Sequence, residues 1–241
     1  MKKYYSLLLL LISSTAFCQD DIYKEPSKES QAYHTFRTTI TKPSYGLIKI
    51  QGQIAKIKPN DDDERIVNKQ FYQSLSLREK FTYNMVHAES FSQNCDAIPP
   101  IQDEQKKIFA HLPDAFDEYN WSDAQIDFLK NNRDSVIVLM KEIISHKNLV
   151  GVNFKKAIVE INAKEMIPFL ISTYMVAKKD HDILTVLMLL MSQNKYLPFV
   201  SSASYKKLYS DETNYYSWLQ FNEANEALII KRATDFHNGF K

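Results

Sequence analysis

The sequence predicts an all-α protein of stacked helical hairpins, and three observations carry that expectation. Glycine is scarce: only Gly46, Gly52, Gly151 and Gly239 occur in 241 residues, where average usage gives roughly seventeen. Few positions therefore suit tight hairpins or a left-handed backbone. Three helix-start signatures recur, Ser76-Leu-Arg-Glu79, Ser122-Asp-Ala-Gln125 and Asn162-Ala-Lys-Glu165. In each, a cap oxygen accepts from an unpaired first-turn amide while Glu or Gln three residues on reaches back to the cap's own N–H. Between these starts, apolar residues return every three or four positions, the helical period.

The chain opens with Lys2 and Lys3, the apolar run Leu7 to Ile12 and small residues Ser13 to Ala16, the layout of an export signal. Residues 1–18 are read as that signal, and the protein as periplasmic or secreted. Cleavage after Ala16 or after Cys18 fits the small-residue pattern. Acylation of Cys18, which would make an outer-membrane lipoprotein, is disfavoured because bulky Phe17 precedes the cysteine and Thr15 replaces the leucine of a lipobox. Residues 19–43 are polar and hold two prolines, so they are expected to form a largely irregular spacer, with the helical domain spanning 44–241.

Composition narrows the partners. Hydrophobic residues make up 44% and charged residues 24%, as in ordinary globular proteins. Removing Lys2 and Lys3 leaves 28 basic and 29 acidic side chains, a balance that gives no electrostatic case for nucleic acid. The longest later apolar run, Ile183 to Met191, is about half of what a bilayer span requires, so no transmembrane segment is expected in the mature chain. Cys95 is the single thiol left after the signal, so no internal disulfide forms.

Within the domain, Leu47, Ile50, Ile54 and Ile57 predict a helix with Ser44 as cap and Pro59 as terminator. The Asn60-Asp-Asp-Asp-Glu-Arg65 run lacks the sixth-position glycine and twelfth-position glutamate of a calcium loop, which leaves a solvated loop. The Ser76 helix is expected to reach about Ser90. The Ser122 helix carries Ile126, Leu129, Val136, Leu139, Met140 and Ile143 on one side with a joint near Asn131-Asn132. After Asn162, Pro168 is expected to kink its helix. A last helix passes through Ala224, Leu228 and Phe236.

Residues 163–191, AKEMIPFLISTYMVAKKDHDILTVLMLLM, resemble a HEAT-type repeat: an apolar-Pro-apolar-Leu first helix, an aspartate-bearing turn and an apolar second helix. Residues 122–149 follow the pattern loosely. Asp182-Ile183-Leu184 stands where the family places a basic residue. The resemblance implies an α-solenoid-like scaffold that binds macromolecules, and it transfers no catalytic residue.

The residues that enzymes use are present but scattered. No Gly-x-Ser-x-Gly elbow, His-Glu-x-x-His, Cys-x-x-Cys or phosphate-cradling glycine loop occurs. His87-Ala-Glu89 matches the first half of a zinc-deaminase signature, but no cysteine pair follows. On a continuous helix His87 and Glu89 stand about 200° apart and do not converge, while His87 shares an edge with Tyr83 and Ser90. Cys95 folding back on His87 would be a nucleophile candidate. Asp114, Asp117, Glu118, Asp123 and Asp127 flank Trp121, a second hydrolase candidate, or simply acidic residues suited to helix starts.

Tyr205, Tyr209, Tyr215, Tyr216 and Trp218 form an aromatic cluster, either core or the anchor of a partner surface. No metal site and no cofactor are expected. The leading expectation is an exported, non-catalytic helical protein that binds another protein, for example an inhibitor that neutralises a toxin or enzyme. An envelope hydrolase using Cys95 with His87, or the acids around Trp121, comes second, and a lipid-anchored structural component third.

Overall fold

The computed structural model describes residues 25–92, 99–214 and 216–239. The export signal, Cys18 and residues 19–24 of the spacer lie outside them. Among the described residues the protein is mostly helical, with four short strands. No helix there is long and apolar enough to cross a membrane.

The first element corrects the reading of residues 19–43 as irregular. Helix α1 (Lys28–Thr38) starts at Ser27, whose hydroxyl accepts from the Ser30 amide, and buries Ser30, Tyr33 and Arg37. These positions repeat with the helical period, but they carry a hydroxyl, a phenol and a guanidinium instead of hydrocarbon. The segment after α1 is pinned as well. The Thr41 amide donates to Asn153 Oδ1 at 2.9 Å, and the Thr41 hydroxyl accepts from the Gly151 amide at 2.9 Å. The folded body therefore starts well before residue 44.

Helix α2 (Leu47–Ile54) forms where its isoleucines predict it, with Gly46 in the left-handed region at φ 63° as its cap, in place of Ser44. Helix α3 (Lys69–Ser74) leads into α4 (Leu77–Val86), where the Ser76 capping box is complete. Helix α4 stops at Val86, because His87 is extended (φ −150°, ψ 141°), so the helix ends four residues before the expected Ser90.

Strand β1 (Ser90–Phe91) then pairs antiparallel with β3 (Tyr119–Asn120), while β2 (Lys107–Phe109) pairs antiparallel with β4 (Trp218–Gln220). The register Ile108↔Leu219 turns both side chains inward, where they are buried. Strands this short leave no alternating run long enough to read in the sequence.

Helix α5 (Asp123–Asn131) opens on the complete Ser122 capping box, and Asn132 separates it from α6 (Arg133–Lys147), the expected joint. Helix α7 (Val152–Glu160) follows. At Asn162 the expected capping box does not form. Asn162 sits at φ 48°, and its side-chain amide exchanges hydrogen bonds with Asn194 at 3.2 and 2.7 Å. A 3-10 turn (Lys164–Met166) intervenes, and α8 (Ile167–Ala177) carries Pro168 in its first turn, where no proline N–H is needed, so the expected break within a helix becomes a helix start.

Helix α9 (His181–Gln193) is buried on nearly every side, the mark of a helix inside a core. Helices α7 and α8, the short α10 (Leu197–Val200), the C-terminal α12 (Glu223–Asn238) and strand β2 all pack on it. The elements thus converge on one central helix, whereas in a solenoid each unit touches only its sequence neighbours. Helix α11 (Ala203–Tyr209) joins α10 to β4.

The glycine shortage also proves less restrictive than it reads. Asp63, Asp103, Asp117, Asn148, Asn162, Lys178 and Lys195 all adopt positive φ. Five of the seven are Asp or Asn, whose short polar side chains tolerate that region.

Candidate functional site

The stretch that carries His87 and Glu89 is built by the end of α4. Because the chain is extended from His87, residues 87 and 89 point the same way, and the expected 200° separation does not apply. Both side chains reach Tyr83, whose hydroxyl donates to Glu89 Oε1 at 2.7 Å and whose ring lies 5.2 Å from the His87 ring.

What they form is a closed knot. Glu89 also accepts from the Ser122 hydroxyl at 2.5 Å, and its amide donates to Gln125 Oε1 at 3.0 Å. Gln125 Nε2 donates to the His87 carbonyl at 3.0 Å. The capping residues of α5 therefore tie the 87–89 segment to that helix. His87 Nε2 lies 2.5 Å from the Arg65 carbonyl; a carbonyl only accepts, so that nitrogen carries the proton. Burial pushes the His87 imidazole below its usual value and the Tyr83 phenol far above. Cys95 lies outside the described residues.

The acids around Trp121 are dispersed. Asp114 pairs with Lys156 at 2.8 Å, Asp123 occupies the first turn of α5, and the indole N–H donates to the Asn84 carbonyl at 2.6 Å. Among the described residues no three His, Cys, Asp or Glu side chains group as metal ligands.

The aromatic cluster divides into two parts. Tyr205 and Tyr209, on α11, pack against each other (5.0 Å) and against buried Phe199 of α10, and the Tyr209 hydroxyl donates to the Ala110 carbonyl at 2.9 Å. Trp218 and Tyr216 sit beside them around β4. Trp218 is half-buried with Lys107 Nζ 5.0 Å and Lys207 Nζ 5.7 Å from its ring, and Tyr216 is exposed. Lys107 is itself buried and donates to the Gln102 carbonyl. Tyr215 lies outside the described residues. A shallow depression of about 440 Å³ opens between Val200, Ala203, Tyr205 and Lys206.

The largest polar constellation was not visible in the sequence. Arg37 forms two hydrogen bonds to Asp182 (2.8 and 3.1 Å), a third to Glu104 (2.9 Å), and stacks over Phe109 at 3.9 Å. Glu104 also meets His34 Nδ1 at 3.0 Å. Lys155 lies 2.6 Å from Asp180 and 3.9 Å from Asp182. His181 stacks on Phe221 with centroids 3.7 Å apart, and its amide donates to the Tyr33 hydroxyl at 3.2 Å.

Burial opposes ionisation of Asp182, but Arg37 and Lys155 outweigh it and hold the carboxyl below its usual value. Glu104 behaves alike through His34 and Arg37. For Asp180 burial prevails, and its carboxyl is pushed up. The constellation joins α1, β2, α7 and α9. Asp180-His181-Asp182 beside a long apolar run was the available signal, but its partner Arg37 lies 145 positions away.

No family model, no curated protein and no solved structure matches this chain.

Proposed function

We propose that the protein is an exported, non-catalytic binding protein that captures another protein through the Tyr216–Trp218 face, for instance as an envelope inhibitor of a toxin or enzyme. One observation carries the reading. The side chains suited to chemistry, His87, Glu89, Tyr83, His34, Glu104 and Asp182, are committed to bonds that hold elements together, while exposed Tyr216 and half-buried Trp218 stand at the start of a strand pair anchored to α9. Aromatic side chains on a rigid support lose little entropy on binding and are enriched at interface hot spots.

A photo-reactive residue at position 216, activated in the native envelope, should crosslink one protein identifiable by mass spectrometry. With that protein purified, Trp218→Ala should weaken capture by about thirtyfold, the effect of losing roughly 2 kcal/mol at a hot spot. Full capture by the Trp218→Ala, Tyr216→Ala chain would discard this face. Turnover of an envelope substrate that vanishes in a Cys95→Ala chain would replace binding with hydrolysis.

A further inference from the structure

The corner built by α10 and α11 is basic. Residues 194–210 contain Lys195, Lys206 and Lys207 and no Asp or Glu. All three lysines are exposed, and none makes an ion pair among the described residues. Asp211 and Glu212 follow only after α11 has ended.

Between the lysines stands an apolar projection. Leu197 leaves 74% of its surface in water at the tip of the four-residue helix α10, next to exposed Pro198. Leu197 lies one turn before Ser201, which lines the depression floored by Val200 and Tyr205. Two of its hydroxyls are engaged by the corner's own backbone: Ser201 donates to the Leu197 carbonyl at 2.6 Å, and Ser202 accepts from the Tyr205 amide at 3.2 Å. The corner therefore offers hydrocarbon and ammonium groups to its surroundings.

We propose that this corner docks on the surface of an anionic phospholipid bilayer. Leu197 and Pro198 enter the interfacial region, and Lys195, Lys206 and Lys207 extend along it to the lipid phosphates. Charge complementarity selects an anionic surface, and a projecting leucine flanked by flexible cations is the arrangement that a bilayer interface accepts. With one large apolar tip and three charges the attachment is reversible and weakens with salt. The inference goes beyond the protein-binding reading and does not depend on it: Lys207 also lies 5.7 Å from the Trp218 ring, but Lys195, Leu197 and Lys206 stand apart from that face.

The test is titration of the full chain with vesicles of phosphatidylethanolamine and phosphatidylglycerol, against phosphatidylcholine alone. Every variant keeps the same N-terminus, so differences between chains report the corner. The Leu197→Trp chain should shift its emission to the blue with anionic vesicles at low salt and should not with phosphatidylcholine. Replacing Lys195, Lys206 and Lys207 with Gln should cut affinity for the anionic vesicles about a hundredfold, roughly a factor of five per lysine, with helical circular dichroism unchanged. No blue shift with anionic vesicles, or an unchanged affinity in the Gln chain, overturns the proposal. A shift with polyglutamate and none with vesicles also overturns it and assigns the corner to an acidic polypeptide.

Discussion

Arg37 and Asp182 meet as a two-pronged pair, Nη2 to Oδ1 at 2.8 Å and Nε to Oδ2 at 3.1 Å, with both side chains buried. The planar guanidinium matches the carboxylate fork, and its remaining donor reaches Glu104. The pair fastens the first described helix to the start of the central one. Helix α1 contributes little aliphatic burial of its own, so these bonds hold it in place.

Arg37→Ala should lower unfolding stability by about 3–5 kcal/mol, because two carboxylates stay buried after their cation is gone. Arg37→Lys should recover only part of the loss, since an ammonium cannot span both oxygens of Asp182 and reach Glu104 together. Urea unfolding of the three chains checks the order; equal stability of the alanine and wild-type chains would show that α1 docks by other means.

Two capping serines should differ in consequence. Ser76→Ala removes a partly exposed cap, costing about 1 kcal/mol. Ser122→Ala removes a cap and also the hydroxyl that Glu89 accepts from, leaving a buried carboxylate short of a donor. Its cost should reach about 2–4 kcal/mol. Thermal unfolding of both chains reads the difference, and a Ser122→Ala loss no larger than that of Ser76→Ala would contradict the knot around Glu89.

Those two boxes were legible because a capping box is local: four consecutive residues contain both partners. Asn162 has the same spacing and fails because its side chain is taken by Asn194, 32 positions on, a competition no local pattern displays. Helix α1 shows no hydrophobic period because Ser30, Tyr33 and Arg37 carry its buried stripe. His87 and Glu89 fall on opposite sides only if α4 continues past Val86, and it does not. The aromatic cluster is visible as composition, but its division into a packed pair, a half-buried Trp218 and an exposed Tyr216 depends on β4 reaching β2, more than a hundred residues earlier.

The buried histidines and acids set the direction of the pH response. His87 and His181 sit below their usual value of 6.5, so below about 6.5 the unfolded chain binds protons that the folded chain refuses. Their stabilisation is present above that pH and is lost as pH falls through the depressed folded values. Glu104 and Asp182, held below their usual 4.5 and 3.8, add a second loss beginning near pH 4.5. Asp180, pushed up, has the opposite sign: its contribution is lost as pH rises through its folded value. Unfolding free energy should therefore fall on acidification in two stages, and His181→Gln should shrink the upper one. A pH profile without any decline between 6.5 and 5 would refute this account of the histidines.

Gly151 tests whether the segment after α1 is part of the folded body. A Cβ there would stand 2.2 Å from the Thr41 amide nitrogen and 2.5 Å from its hydroxyl oxygen. Neither atom can withdraw easily, because the amide donates to Asn153 and the Thr39 carbonyl accepts from the Val152 amide at 3.0 Å. Asn153 is fully buried and also donates to the Thr41 and Met85 carbonyls, so displacing the segment strands polar groups in the core. Gly151→Ala should cost about 1–3 kcal/mol. A chain beginning at residue 44 loses α1, Thr41 and every bond just named that involves residues 39–41, and it should unfold without cooperativity, whereas one beginning at residue 25 should keep a single transition. The urea slope separates the outcomes, since it scales with the surface exposed; equal slopes and midpoints for the two truncated chains would return residues 25–43 to the status of a spacer.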